Sequence, residues 1–131
     1  MNTEKQLQRV TENQSERLKN LGFDWETSHY YKVDKNAESF YTDSNNEQAI
    51  NAISAPTVAL ALKWCRDVKG IMNIVTFNFF CEKYMWNYVF MGDIIDSENK
   101  SIKIFDTYEL AESALLDEML TILEQERDEQ Q

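Results

Sequence analysis

Glycine, histidine and cysteine are all scarce in this chain, and each scarcity removes a class of chemistry. Three glycines, at positions 22, 70 and 92, are too few and too dispersed for a phosphate-cradling loop. One histidine, His29, and two cysteines, Cys65 and Cys81, offer no zinc-ligand spacing. Two cysteines fit the reduced thiols of a cytoplasmic protein better than a disulfide framework, and both are expected to pack as small apolar groups. No run of about eighteen apolar residues is present, which excludes a membrane-spanning helix. The opening MNTEKQLQRV has neither the apolar core nor the small-residue cleavage site of a secretory signal, so the expected location is cytoplasmic. No metal or cofactor is expected.

What is present is a chain of 131 residues, the size of one domain, with 43% hydrophobic residues and 12% aromatic, which places it among globular rather than disordered sequences. Its net charge of −10 is unevenly spread. Residues 1–22 carry Lys5, Arg9, Arg17 and Lys19 against Glu4, Glu12 and Glu16, a net of +1, whereas residues 106–131 carry nine acids against Arg127, a net of −8. Such a surface repels phosphate and disfavours direct nucleic-acid binding.

The richest pattern lies between Ile71 and Ile104. In IMNIVTFNFFC, Ile71, Val75, Phe77, Phe79 and Cys81 alternate with Met72, Ile74, Thr76, Asn78 and Phe80, the period of a strand. Tyr84, Trp86, Tyr88 and Phe90 then alternate with Met85, Asn87, Val89 and Met91, after a connection at Glu82 and Lys83. A turn at residues 96–99 leads to SIKIF, which would point Ile102 and Ile104 inward, completing a three-stranded meander. Asp93, Asp96 and Glu98 match no calcium-loop spacing and read as a solvated turn.

Three helices are expected around this meander. Residues 4–21 carry a thin stripe of Leu7, Val10, Leu18 and Leu21, interrupted by Gln14 and closed by a left-handed Gly22 with Phe23 as apolar anchor. Short strands are expected near His29–Val33 and at Phe40–Tyr41, and a helical turn around Glu47–Ile53. The second helix would be capped by Ser54 or Ala55, carry Pro56 in its first turn, bury Val58, Ala61, Leu62, Trp64, Cys65 and Val68, and end at Gly70. For the third, Asp106 with Glu109 forms a capping box and Phe105 with Leu110 a staple; Tyr108, Ala111, Leu115, Leu116, Met119, Ile122 and Leu123 share its buried side. Residues 125–131 read as a frayed acidic tail. The expected fold is a single α+β domain: an antiparallel meander of three to five strands with two or three helices packed mainly on one face.

The runs SAPTVALALKWCRDVKGI at 54–71, IFDTYELAESALLDEMLTIL at 104–123 and LGFDW at 21–25 resemble a family of short uncharacterised proteins of Bacteroides-type bacteria and their phages or mobile elements. The matching positions are caps, stops and core residues, with Cys65 standing where leucine is usual. The resemblance implies fold constancy and a phage or mobile-element context; the family has no assigned activity.

With catalytic groupings absent, the expected function is that of a non-catalytic protein-interaction module whose partner is an unidentified protein or a second copy of itself, since both strand faces carry apolar bulk. The candidate contact patch is Tyr84, Trp86, Tyr88 and Phe90, with His29, Tyr30 and Tyr31 as weaker candidates. Two other readings compete. One is an acidic nucleic-acid mimic that presents Glu112, Asp117, Glu118 and Glu124 to a basic groove of a host enzyme; the other is a small enzyme using His29 or Cys81.

Overall fold

Each helix among the described residues begins on a threonine whose hydroxyl accepts the amide three residues on. Thr11 caps α1 (Glu12–Asn20), accepting from the Gln14 amide at 3.1 Å while Gln14 Oε1 accepts from the Thr11 amide at 3.0 Å. This reciprocal box satisfies two otherwise orphaned donors. It also starts the helix well after residue 4, where the apolar stripe places it. Residues 7–10 run extended instead: the Val10 amide donates to Pro56 O at 3.1 Å, and Gln8 O accepts from the Val58 amide at 2.9 Å. Leu7 is consequently exposed, while Gln14, which interrupts the apolar stripe, is buried. At the other end Gly22 adopts φ 96°, with Phe23 N bonding Leu18 O and Gly22 N bonding Lys19 O at 3.0 Å each, the left-handed stop that the sequence predicts.

Helix α2 (Val58–Asp67) is capped by Thr57, which accepts from the Leu60 amide at 3.1 Å. Ser54 does not fill that role because it belongs to a strand, and Pro56 precedes the cap. Helix α3 (Tyr108–Glu129) is capped by Thr107, accepting from the Leu110 amide at 3.1 Å, rather than by Asp106, whose carboxylate pairs with Lys83. Tyr108 and Leu110 lie exposed, and with Thr107 as the cap the residue before it is Asp106 rather than Phe105, which is bridged to Tyr84. The helix continues to Glu129, taking in residues 125–129 of the stretch that reads as a tail.

The computed structural model describes residues 7–27, 29–32, 40–41, 52–90, 99–100 and 103–130. Its strands β1 (Tyr30–Lys32), β2 (Phe40–Tyr41) and β3 (Ala52–Ser54) form one antiparallel sheet in the order β2-β1-β3. Residues 52 and 53 thus extend a sheet instead of ending a helical turn; residues 47–51 lie outside the described residues. Strands β4 (Ile71–Asn78), β5 (Lys83–Phe90) and β6 (Asn99–Lys100) form the second sheet, the expected meander, in the order β4-β5-β6. The third strand meets β5 earlier than SIKIF, at residues 99–100, and an isolated bridge joins Phe105 to Tyr84. Ile104 is exposed rather than turned inward, and Ile102 lies outside the described residues. The fold is α+β with both sheets antiparallel.

Helices α2 and α3 pack side by side on one face of β4–β5, and α1 packs on α3. Trp64 and Cys65 of α2, Ile71 of β4, and Leu115, Leu116, Met119 and Leu120 of α3 form the centre of the core. Phe23 meets the Trp64 ring edge-on at 5.4 Å. Val68, expected in the buried arc of α2, is exposed where the helix ends. Arg17 clamps α1 to α3, its Nε and NH2 reaching the two Glu124 oxygens at 3.0 and 2.7 Å.

Candidate interaction surface

The register of β4 and β5 decides what each face of the hairpin is for. Phe77, Val75, Asn73 and Ile71 stand opposite Tyr84, Trp86, Tyr88 and Phe90, so these eight residues share one face. That face meets the helices. Asn73 is buried and locks it to α2, donating through Nδ2 to Leu62 O at 3.2 Å and accepting from Arg66 NH1 at 2.8 Å. Tyr88 donates its hydroxyl to Glu118 on α3 at 3.3 Å; burial, and then the Glu118 carboxylate, hold that phenol above its ordinary pKa. Trp86, Tyr88 and Phe90 pack against the core, with Trp86 and Tyr88 stacked at 5.7 Å. Tyr84 lies between Phe77 at 5.1 Å and Tyr108 at 6.0 Å. The aromatic set singled out in the sequence therefore lies half-buried on the face that meets the helices.

The opposite face presents Met72, Ile74 and Thr76 beside Met85, Asn87 and Val89. Met72 and Ile74 are 45% and 58% exposed, although β-branched and thioether groups of this size are usually covered. A groove of ≈ 370 Å³ runs along this face, lined by Met72, Asn73, Ile74, Asn87, Tyr88 and Val89. Lys83 is the single charged residue that β4 and β5 place on this face, and it is paired with Asp106.

The hairpin closes through residues 79–82, where the alternation alone would carry the strand on to Cys81. Asn78 sets this turn: its Oδ1 accepts from the Phe80 amide at 2.9 Å and its carbonyl from the Glu82 amide at 2.8 Å. Glu82 takes φ 55°, a left-handed conformation unusual for a side-chain-bearing residue. Phe79 is left 84% exposed and Phe80 101%. Cys81 is exposed as well, contrary to the expected packing; Cys65 is buried as expected, and burial pushes its thiol up to about 12.

His29, Tyr30 and Tyr31 sit at the other sheet. The His29 carbonyl accepts from the Ala55 amide at 2.8 Å; both tyrosines are buried, and the Tyr31 hydroxyl donates to Val10 O at 2.7 Å. These residues brace the segment before α1 and β3. They belong to a different sheet from the hairpin whose turn carries Cys81. Among the described residues no group of three or more His, Cys, Asp or Glu side chains could hold a metal ion. Asp93, Asp96 and Glu98 lie outside the described residues.

Four carboxylates of α3 are engaged within the chain. Glu112 accepts from Gln8 Nε2 at 3.2 Å, Asp117 from Gln14 Nε2 at 2.9 Å, Glu118 from Tyr88, and Glu124 from Arg17. A smaller concavity of ≈ 160 Å³ brings Arg66, Asn73, Tyr108 and Glu112 together between α2, β4 and α3. The Tyr108 phenol is raised there, by burial first and then by Glu112. Packing of elements far apart in the chain creates this cluster, and no local sequence signal marks it. Phe79 and Phe80 do carry a signal: Asn78, a turn former, directly before them.

Compared with protein-family models, with curated proteins and with solved structures, the chain matches none. No helix among the described residues is long and apolar enough to cross a membrane.

Proposed function

We propose that this chain is a small, non-catalytic protein-interaction module of the cytoplasm, an accessory protein of a phage or mobile element, and that it works through the open face of β4–β5. One observation carries the reading: an almost uncharged strand face with Met72 and Ile74 exposed shares its hairpin with two exposed phenyl rings on an ordered turn. Exposed apolar groups in a contiguous, structured patch mark contact surfaces, because aromatic anchors supply most of the energy of such contacts. The mimic reading has less support, since its four named carboxylates already bond within the chain.

A photo-crosslinking residue placed at Ile74, with a control at Lys63 on the exposed side of α2, tests the reading in producing cells. A discrete adduct from position 74, lost when Phe80 is changed to aspartate, supports it. Equal labelling from both positions, or none from 74, overturns it.

A further inference from the structure

The concavity of ≈ 160 Å³ between α2, β4 and α3 places one group of each charge on a shared space. Glu112 enters it from α3 with 9% of its surface exposed, and Arg66 enters it, half-buried, from the last turn of α2. The ion pairs among the described residues include neither of them. A carboxylate taken this far out of water is costly unless a cation and donors meet it. The guanidinium that could do so lies across the cavity instead of against it.

Both groups are held in position by neutral side chains. Asn73 fixes the cation: its Oδ1 accepts from Arg66 NH1 at 2.8 Å, while its Nδ2 donates to Leu62 O and Ile71 O at 3.2 Å each. A guanidinium carries five N–H donors in a planar fork, so this bond leaves most of the fork for an anion. Gln8 fixes the carboxylate, its Nε2 donating to Glu112 Oε1 at 3.2 Å and to Glu109 O at 2.7 Å. An ionised carboxyl accepts at about four lone-pair sites, and most of that capacity is left over. Leu62 and Leu115 supply apolar wall, where charge contacts are stronger than in water.

The occupant that fits carries an anionic group for Arg66 and a cationic donor for Glu112 in one small body. A bare anion would lie against Glu112, and a bare cation against Arg66. A zwitterion satisfies both ends, and being neutral overall it is not repelled by the net −10 of the chain. The space equals that of about five waters, room for a short amino acid and not for a nucleotide. We infer that this concavity binds a small free amino acid, its carboxylate on the Arg66 guanidinium and its ammonium on Glu112. The site is separate from the proposed contact face and does not depend on it. A ligand with so few atoms should bind with a Kd of about 10 µM to 1 mM.

Calorimetric titration of the purified full chain tests this with glycine, L-alanine, β-alanine and γ-aminobutyrate, which differ in bulk and in the separation of their charges. At least one should saturate a single site per chain. Acetate and methylamine, each offering only one of the two charges, should bind weaker by about tenfold or more. Arg66→Gln and Glu112→Gln should each weaken binding by about tenfold or more, with circular-dichroism melts recorded beside them. Ala59→Leu adds bulk to the cavity wall and leaves both charges in place. Ala59 is half-exposed on a helix and leucine is a good helix former, so this variant folds even where loss of the bond from Arg66 to Asn73 loosens α2; it should block binding. No saturable binding of any of the amino acids up to about 10 mM overturns the site. Acetate binding as tightly as the amino acids, or full binding retained by Glu112→Gln or by Ala59→Leu, overturns the assignment of a zwitterion to this space.

Discussion

Gln14 Nε2 donates to Asp117 Oδ1 at 2.9 Å, joining the cap of the first helix to the middle of the last across 103 positions of sequence. The same side chain closes the box on Thr11, so one buried amide serves a local and a long-range role. Gln14→Ala should therefore cost about 2 kcal/mol, the sum expected for a lost cap and a stranded acceptor. Urea unfolding at neutral pH measures it. Asn13, an exposed neighbour on the same helix, is the control: Asn13→Ala should change stability by less than about 0.5 kcal/mol.

Arg17 and Glu124 make stability depend on pH. The hydrogen bond from Arg17 holds the Glu124 carboxyl below its ordinary value of 4.5. A folded value below the unfolded one means that the pair contributes fully above the unfolded value, and that the contribution is lost as pH falls through the folded one. Glu124→Gln should lower the urea midpoint at pH 7, and its difference from the parent chain should close as the pH is taken below 4.5.

The two thiols should separate in native reactivity. Cys81 is exposed on the turn, while Cys65 is buried with its thiol pushed up to about 12. A thiol-specific chromogenic reagent should titrate one equivalent in the native protein and two in denaturant. Cys81→Ser should leave no fast-reacting group, and fast loss of a second thiol under native conditions would contradict the packing of α2.

Trp64 and Phe80 are both large aromatics with opposite roles. Trp64→Ala should cost about 3–5 kcal/mol, as expected for a buried indole at the centre of a core. Phe80→Ala, measured at low micromolar concentration, should stay within about 0.5 kcal/mol of the parent because its ring is fully exposed. Paired denaturation curves decide both.

The strand alternation of residues 71–78 and 83–90, the left-handed stop at Gly22 and most of the apolar side of α3 are legible in the sequence because each depends on near neighbours. The differences share a cause. The three described helix starts fall on a threonine, Thr11, Thr57 and Thr107, because residues that look suitable upstream have partners elsewhere: Asp106 with Lys83, Ser54 in β3, and residues 7–10 against the start of α2. The two hairpin faces are also readable by parity, but both are apolar, and only tertiary contacts such as Asn73 with Leu62 and Arg66 decide which one the helices cover. For that reason the sequence pattern alone singles out the Tyr84–Phe90 side, and the fold packs Trp86, Tyr88 and Phe90 of that side, half-buried, against the core.

Glu82 carries a consequence for solubility. Its left-handed backbone would suit glycine, and a side chain there costs about 1 kcal/mol. The carboxylate it retains flanks two bare phenyl rings, the position in which a charge discourages unspecific aggregation. Glu82→Gly should therefore raise the unfolding midpoint while lowering the concentration at which the protein precipitates, an opposition that light scattering on the two purified chains would show directly.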